Sequence, residues 1–340
     1  MKDSVDFVIT WVDGNDKDWI EKKNKALKSV NPDYVDSRKR RYRDWDNLKY
    51  LFRGFAECTP WVNHIYLVTP GQCPKWLNTN NPKISVINQD DLFDDKTILP
   101  TFNNCSVELL FHKIPGLQEQ FVYFNDDMFL LRNTPKKDFF KNGMPCMTVA
   151  FSPAQADFSE DGKGIYGIVT MNTRIVAKHF KKKDIIKNNW RKYFDVRNGR
   201  EVIKTLCCMP FSALTSFNDM HTAYSFLKST YSEVWNVEGK ELERACKIRF
   251  RGEFSLCHYA MRYWQMAKGS FSVRRRNFSK MFDMHKLGEE DKVIKTILRG
   301  FPNMICINDN IDDDADFDRM VSKINNAFEQ RFPNKCEYEL

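Results

Sequence analysis

Apolar and polar positions alternate along the first half of the chain in a repeating pattern. Val5 to Val12 is a β-branched and aromatic run that stops at Asp13-Gly14, which predicts a strand and a turn. Asp16 to Val30 reads as a polar helix. Leu48, Leu51, Phe52 and Phe55 recur at helical spacing between Asn47 and Cys58. His64 to Val68 and Lys83 to Ile87 predict two more strands. Ser106 to Leu117 predicts a helix stopped by Pro115-Gly116, and Gln120 to Phe124 a fourth strand ending at Asn125-Asp126-Asp127. Strand alternating with helix at this spacing implies an α/β fold, a mostly parallel sheet flanked by helices.

Beyond about Lys141 the pattern changes. Met147 to Phe151 and Gly167 to Met171 read as strands. Arg174 to Tyr193, Thr222 to Asn236, Ser255 to Ala267 and Asp316 to Phe332 read as helices, the last with Phe317, Val321, Ile324 and Phe328 on one face. The expected organisation is an α/β half over 1–145 and a mainly helical half over 146–340. The two halves are expected to share one active site.

The 340 residues, 42% hydrophobic and 29% charged, suffice for a real core and argue against disorder. The net charge is +8, with cations gathered between Arg174 and Lys204 (Lys181, Lys182 and Lys183 among them) and at Arg274 to Arg276. Solvated helix faces are one reading; attraction to nucleotide phosphates, a phosphate-containing polymer or an anionic membrane surface is the other. No nucleic-acid-binding signature occurs. The ten cysteines lack any CxxC pair and include the adjacent Cys207-Cys208, which predicts reduced, mostly buried thiols of a cytoplasmic chain. Cys105, Cys207 and Cys257 stand in apolar surroundings. The first strand is too short for a signal peptide or anchor, and no run approaches about 18 apolar residues. A soluble or membrane-peripheral protein is expected.

Ligands of open α/β sheets bind at the carboxyl ends of the strands. Two strands here end in acid, at Asp13 and at Asn125-Asp126-Asp127. Paired carboxylates there suit Mg²⁺, or Mn²⁺, gripping a diphosphate; an Asn-Asp-Asp turn is the competing account. Glu108 and His112 lie at i and i+4 on one predicted helix face. His221 lies in a polar break and has the right ordinary pKa for a general base. Arg249 and Arg251 share one face of an alternating segment and suit phosphate oxygens. The acidic run from Asp309 to Asp318 fails the EF-hand pattern and reads as the acidic first turn of the last helix. No P-loop, GxGxxG, HExxH or GxSxG occurs.

Four blocks together resemble the Stealth family, which includes bacterial capsular polysaccharide phosphotransferases and the catalytic region of animal N-acetylglucosamine-1-phosphotransferase. They are VDFVITWVDGNDKDW from Val5, the long block from RYRDWDNLKYLFRGF at Arg41 to FVYFNDDMFL at Phe121, NDMHTAYSFLKSTYSEVW from Asn218, and IRFRGEFSLCHYAMRYWQMAKGSF from Ile248. The resemblance implies a Rossmann-like, glycosyltransferase-A-like fold. It implies Asp6, Asp44, Glu108, Asp127, His221 and Arg251 as catalytic positions, with Asp126 and Asp127 holding the metal. Asp13, Arg43, His112, Asn125, Asp126 and Arg249 stand as substrate-binding candidates. The implied reaction moves a hexose 1-phosphate, expected to be an N-acetylhexosamine 1-phosphate, from a UDP-sugar to a glycan hydroxyl, releasing UMP. An ordinary metal-dependent glycosyltransferase releasing UDP is the alternative. Trp45 after Asp44, Thr222-Ala223 after His221, and Ser255 depart from the family's pattern.

Overall fold

The computed structural model describes residues 4–30, 38–153, 165–218, 220–252 and 255–340. Asp219 of the third block, and Glu253 and Phe254 of the fourth, lie outside them.

The central sheet is built from β1 (Val5–Thr10), β2 (Ile65–Thr69), β3 (Ile84–Asn88) and β4 (Gln120–Asn125), all parallel, in the order β3-β2-β1-β4. The strand order reverses at β1, so the crevice between the carboxyl ends of β1 and β4 is the switch point where such sheets bind ligands. β1 is buried along its whole length, as a strand covered on both faces must be. Helices α1 (Lys17–Leu27) and α2 (Leu48–Cys58) follow β1. α2 presents Leu51, Phe52 and Phe55 to the sheet, where Phe55 packs edge-on against Phe7 and Phe124.

The predicted helix over 106–117 is instead the short α3 (Asn104–Glu108) and a single 3₁₀ turn at Phe111–Lys113. Asn103 caps α3 by accepting from Cys105 N. Immediately after β4 the chain turns through Asp126 and Asp127 into β5 (Met128–Leu130). β6 (Phe140–Lys141) and β7 (Met144–Met147) form a small hairpin; the strand expected over 147–151 ends at Met147, leaving an isolated bridge from Phe151 to Phe217.

Three corrections concern the second half. Gly167 to Met171 lies inside helix α4 (Ile165–Ala177), not in a strand. Its β-branched run packs as a helix against the later helix Tyr259–Lys268, so tertiary contacts override propensity. The single helix expected over 174–193 is broken after Ala177, and α5 (Lys182–Tyr193) is separate; α6 (Glu201–Cys208) follows. The helix expected over 222–236 begins as a strand, β8 (Tyr224–Leu227), antiparallel to β4 at the edge of the central sheet; α7 (Lys228–Cys246) starts only after it. A short apolar run buried on both faces has no period that separates strand from helix. The core is thus continuous across residue 145: one hydrophobic cluster draws on both segments.

α8 (Tyr259–Lys268) is almost wholly buried. β9 (Ser272–Val273) pairs with β7. β10 (Ser279–Met284), α9 (Glu290–Arg299) and β11 (Met304–Asp309) precede the closing helix α10 (Asp314–Arg331). β11 lies between β10 and β5, with Cys306 opposite Met128. None of β10, α9 and β11 was expected from the sequence. The acidic run does what the sequence suggests: Asp313 caps α10 by accepting from Asp316 N.

All ten cysteines are free, and seven are buried. Cys207 is exposed, contrary to its apolar sequence surroundings, because α6 turns that face outward. Among the described residues no helix is long and apolar enough to cross a membrane.

Candidate active site

A cleft with an empty volume of about 590 Å³ opens at the switch point, floored by Thr10 and Trp11 and walled by Tyr42, Phe102, Asn104 and Asp126. Gly14 lets its wall close: a Cβ there would stand 1.6 Å from the Tyr42 carbonyl oxygen, so the loop carrying Asp44 lies directly on the turn after β1. Asp13 is held in that turn by Gln72, which accepts from its N–H and donates to its carbonyl.

Acid groups converge on the cleft. Asp44 accepts from Trp11 Nε1 at 3.3 Å and from Asp46 N at 2.9 Å. Burial raises its carboxyl above the ordinary range, and Asp46 and Asp13 add to this. Burial, with the charges of Asp127 and Asp44, pushes Asp126 up to about 8. Asp44 and Asp126 are thus biased toward their neutral forms, in a site short of positive charge.

Asp127 stands at the meeting of two sheets. Its carbonyl accepts from Ile307 N, which clamps β11 alongside. Its Oδ2 lies 3.4 Å from His221 Nε2 and accepts from Cys306 Sγ at 3.1 Å. His221 Nδ1 is 3.0 Å from Tyr224 Oη. One donor atom from each of Asp127, His221 and Cys306 falls within 4.8 Å of the others. Asp127 Oδ1 and Asn125 Oδ1 are buried without a hydrogen-bond partner. Orphaned carboxylate oxygen, an imidazole and surplus negative charge fit a divalent cation.

A second cluster lies behind the first. Glu108 Oε1 accepts from Asn104 Nδ2 at 2.8 Å and Tyr123 Oη at 2.9 Å; Oε2 is 2.6 Å from His258 Nδ1. Burial works against its charge, but His258 and Tyr123 overcome that and hold the carboxyl below its usual range. Tyr123 Oη also meets Thr10 Oγ1 at 2.9 Å, so a continuous polar chain runs from cleft floor to Glu108. Arg251 lies near enough to Glu108 and the thiols of Cys105 and Cys257 to interact with them electrostatically. Those two sulfurs and Glu108 also come within 4.8 Å of one another. This group does not fit a metal: both carboxylate oxygens already accept hydrogen bonds, and a guanidinium stands beside it.

The structure therefore gathers Asp13, Asp44, Asp126, Asp127 and His221, and sets Glu108 and Arg251 behind them. Asn125, at the carboxyl end of β4, lies with them; Asp6, Arg43, Arg249 and His112 do not. Asp6 lies near the amino end of β1, opposite Phe121, while the cleft starts at Thr10. At about 3.3 Å per residue that is roughly 13 Å away. Its carboxylate accepts from Asn63 Nδ2 and Gln118 N, tying down the loops that enter β2 and β4. Arg43 is bound to Asp309 at 2.8 Å, to Asp314 and to the Ile311 carbonyl, and lies over the Phe317 ring. Arg249 donates to the carbonyls of Ile98, Thr97 and Leu99. The expected strand around it reduces to one bridge between Phe102 and Phe250. His112 packs on the rings of Tyr231 and Trp235, away from the face Glu108 presents, because the helix breaks between them.

Sequence reasoning missed His258, Tyr123, Asn104 and Cys306. His258 sits within the fourth block, and its position just before a strongly apolar helix was the available signal. Cys306 sits in a strand that was not foreseen. Trp45, a departure from the family's pattern, packs edge-on against Phe317 and so serves the α10 contact.

Fold and site define an α/β protein with a carboxylate-rich, cation-competent cleft at the sheet's switch point. Models of Stealth conserved regions 1, 2 and 4 match residues 3–30, 41–147 and 295–340. The region 4 match falls on the closing β11–α10 segment, whereas the blocks read at Asn218 and Ile248 lie outside all three. Capsular polysaccharide phosphotransferase WcwK of Streptococcus pneumoniae is 34% identical over 337 residues, covering 99% of this chain and 98% of that one. Receptor polysaccharide phosphotransferase WefC of Streptococcus gordonii is 34% identical over 346 residues, covering all of both chains. Exopolysaccharide phosphotransferase cps2G of Lactiplantibacillus plantarum is 34% identical, covering 98% and 96%. The galactosyltransferase LgtC structure aligns over 94% of this chain and 95% of its own, with 7% identity and a TM-score of 0.39. The chain belongs to the Stealth family and is a transferase.

Proposed function

We propose that this enzyme transfers a hexose 1-phosphate, such as an N-acetylhexosamine 1-phosphate, from a UDP-sugar to a glycan hydroxyl in capsular or exopolysaccharide synthesis. The new linkage is a phosphodiester and UMP leaves. The observation that carries the reading is the convergence of Asp126, Asp127 and His221 where the carboxyl end of β4 meets the loop entering β8, with Asp126 lining the cleft at the switch point. The names of the relatives, all phosphotransferases of surface polysaccharides, support the reaction class.

Mg²⁺ or Mn²⁺ would supply charge neutralisation at the donor diphosphate, held by Asp127 with Asp126 and His221. The protein's own residues do the rest. The cleft walls orient the donor so that its sugar-bearing phosphorus faces the acceptor. With His221 engaged beside Asp127, uptake of the acceptor hydroxyl proton is assigned to Asp44, a reading supported by its carboxyl being raised by burial. Arg251 balances negative charge from behind, through the Glu108 cluster. The free thiols support a reducing, cytoplasmic setting where UDP-sugars are made.

The test is to incubate the enzyme with several UDP-sugars, Mg²⁺ and a glycan acceptor and to identify the nucleotide released. UMP is expected. Release of UDP means attack at the sugar carbon and an ordinary glycosyltransferase.

A further inference from the structure

The stretch from Lys178 to Phe211 holds ten Lys and Arg against three Asp and Glu, a net +7 in a chain of +8. It is also where apolar side chains point outward. Val196 is 89% exposed, Ile203 62%, Phe211 59%, and Trp190 and Leu206 54% each.

Helix α6 is seated inside out. Its buried face is Glu201, Thr205 and Cys208, while Ile203 and Leu206 face away from the protein. The seating is fixed by charge. Buried Glu201 accepts from Arg276 Nε at 2.7 Å, from Asn218 Nδ2 at 3.1 Å and from Lys204 Nζ at 2.8 Å. Lys182, the middle of the three lysines, is not a surface cation: it is buried, and its Nζ donates to the Cys208 carbonyl at 2.7 Å. That bond joins the start of α5 to the end of α6. On α5, Lys183 and Lys187 are exposed one turn apart, and Trp190 and Arg191 are exposed beyond the break at Asn189.

We propose that the α5–α6 hairpin docks the enzyme on an anionic membrane surface, with Ile203, Leu206 and Phe211 entering the headgroup boundary and Lys183, Lys187 and Arg191 meeting lipid phosphates. Outward apolar side chains on one helix and exposed cations on the helix bonded to it, neither long and apolar enough to span, are what an interfacial element needs. Charge decides among occupants. A second copy on this face would bring two cationic surfaces together. A phosphate-linked glycan would satisfy the cations but offer no apolar phase to the side chains between them.

The full chain is sedimented with vesicles of mixed phosphatidylglycerol and phosphatidylcholine, and with vesicles of phosphatidylcholine alone. Wild type should bind the anionic vesicles, less so as salt rises. Ile203→Ser with Leu206→Ser should weaken binding about tenfold or more, since each moves a branched side chain out of the acyl boundary. Lys183→Glu with Lys187→Glu should abolish the preference for anionic lipid. All four positions are exposed, so folding stays intact, as circular dichroism would check. Three results would each overturn the proposal: no binding to anionic vesicles; binding that the Ser pair leaves unchanged; or a dimer in sedimentation equilibrium that the Ser pair dissolves. The last assigns the face to a second copy. Loss of phosphate-linked polysaccharide binding in these variants, with vesicle binding unmoved, assigns it to the glycan.

Discussion

His258 Nδ1 stands 2.6 Å from Glu108 Oε2 across 150 positions of chain, and both residues are buried. The pair fastens the start of α8 to α3 behind the cleft. Removing the imidazole takes from buried Glu108 its shortest hydrogen bond, although Asn104 and Tyr123 still donate to it, and costs about 1–3 kcal/mol. His258→Ala should therefore lower the urea unfolding midpoint sharply. His258→Asn keeps a donor near the Nδ1 position and should recover much of the loss. If the two variants unfold alike, ring packing against Tyr224, not the hydrogen bond, is what His258 provides.

Asp127→Asn removes a partly buried charge at a strand end and no core volume. Turnover should fall more than about 100-fold and Mg²⁺ or Mn²⁺ affinity with it, while the unfolding midpoint stays close to wild type. Calorimetric titration of Mn²⁺ into both proteins reads the difference. Unchanged metal affinity would take Asp127 out of the site.

Asp6 is where family resemblance and geometry part. The resemblance implies an active-site acid; the structure gives it two hydrogen bonds at the far end of β1. Asp6→Ala would leave the Asn63 amide and Gln118 N–H unpaired, at about 1–3 kcal/mol each. Stability should drop while turnover per folded molecule stays within about threefold. A variant that is stable but inactive would restore Asp6 to catalysis.

The parallel sheet was legible because β1, β2 and β4 are apolar runs closed by turn residues, and each such boundary is local. The acids after β1 and β4 were legible for the same reason. β8 was not: Tyr224 to Leu227 becomes a strand only because β4 offers an open edge, a fact that lies 100 residues away in the chain. Arg43 and Arg249 illustrate the limit for charge. Sequence shows a guanidinium, but whether it faces phosphate or is consumed by Asp309 or by the carbonyls at 97–99 depends on elements far along the chain. Cys306 required β11 beside β5, and neither strand carries a long enough pattern to be recognised alone.

His112 gives a test of pH dependence away from the cleft. Burial, with Lys113 and Lys228 nearby, pushes its pKa down from 6.5 to about 4. A base with a lowered folded pKa binds its proton more readily in the unfolded chain. Between pH 6.5 and 4 the unfolded state therefore carries more protons, and stability falls as pH falls through that window; above it the effect is absent. His112→Phe keeps an aromatic ring against Trp235 and Tyr231 and removes the titrating group. Its melting temperature should decline less than wild type from pH 6.5 to 4, and the two curves should run parallel above pH 7. Buried carboxylates elsewhere act on both proteins equally, so the difference between curves isolates His112. If the curves stay parallel throughout the acid range, the imidazole is protonated as easily in the folded protein as in the unfolded one, and its ring is not shielded by α7 as described.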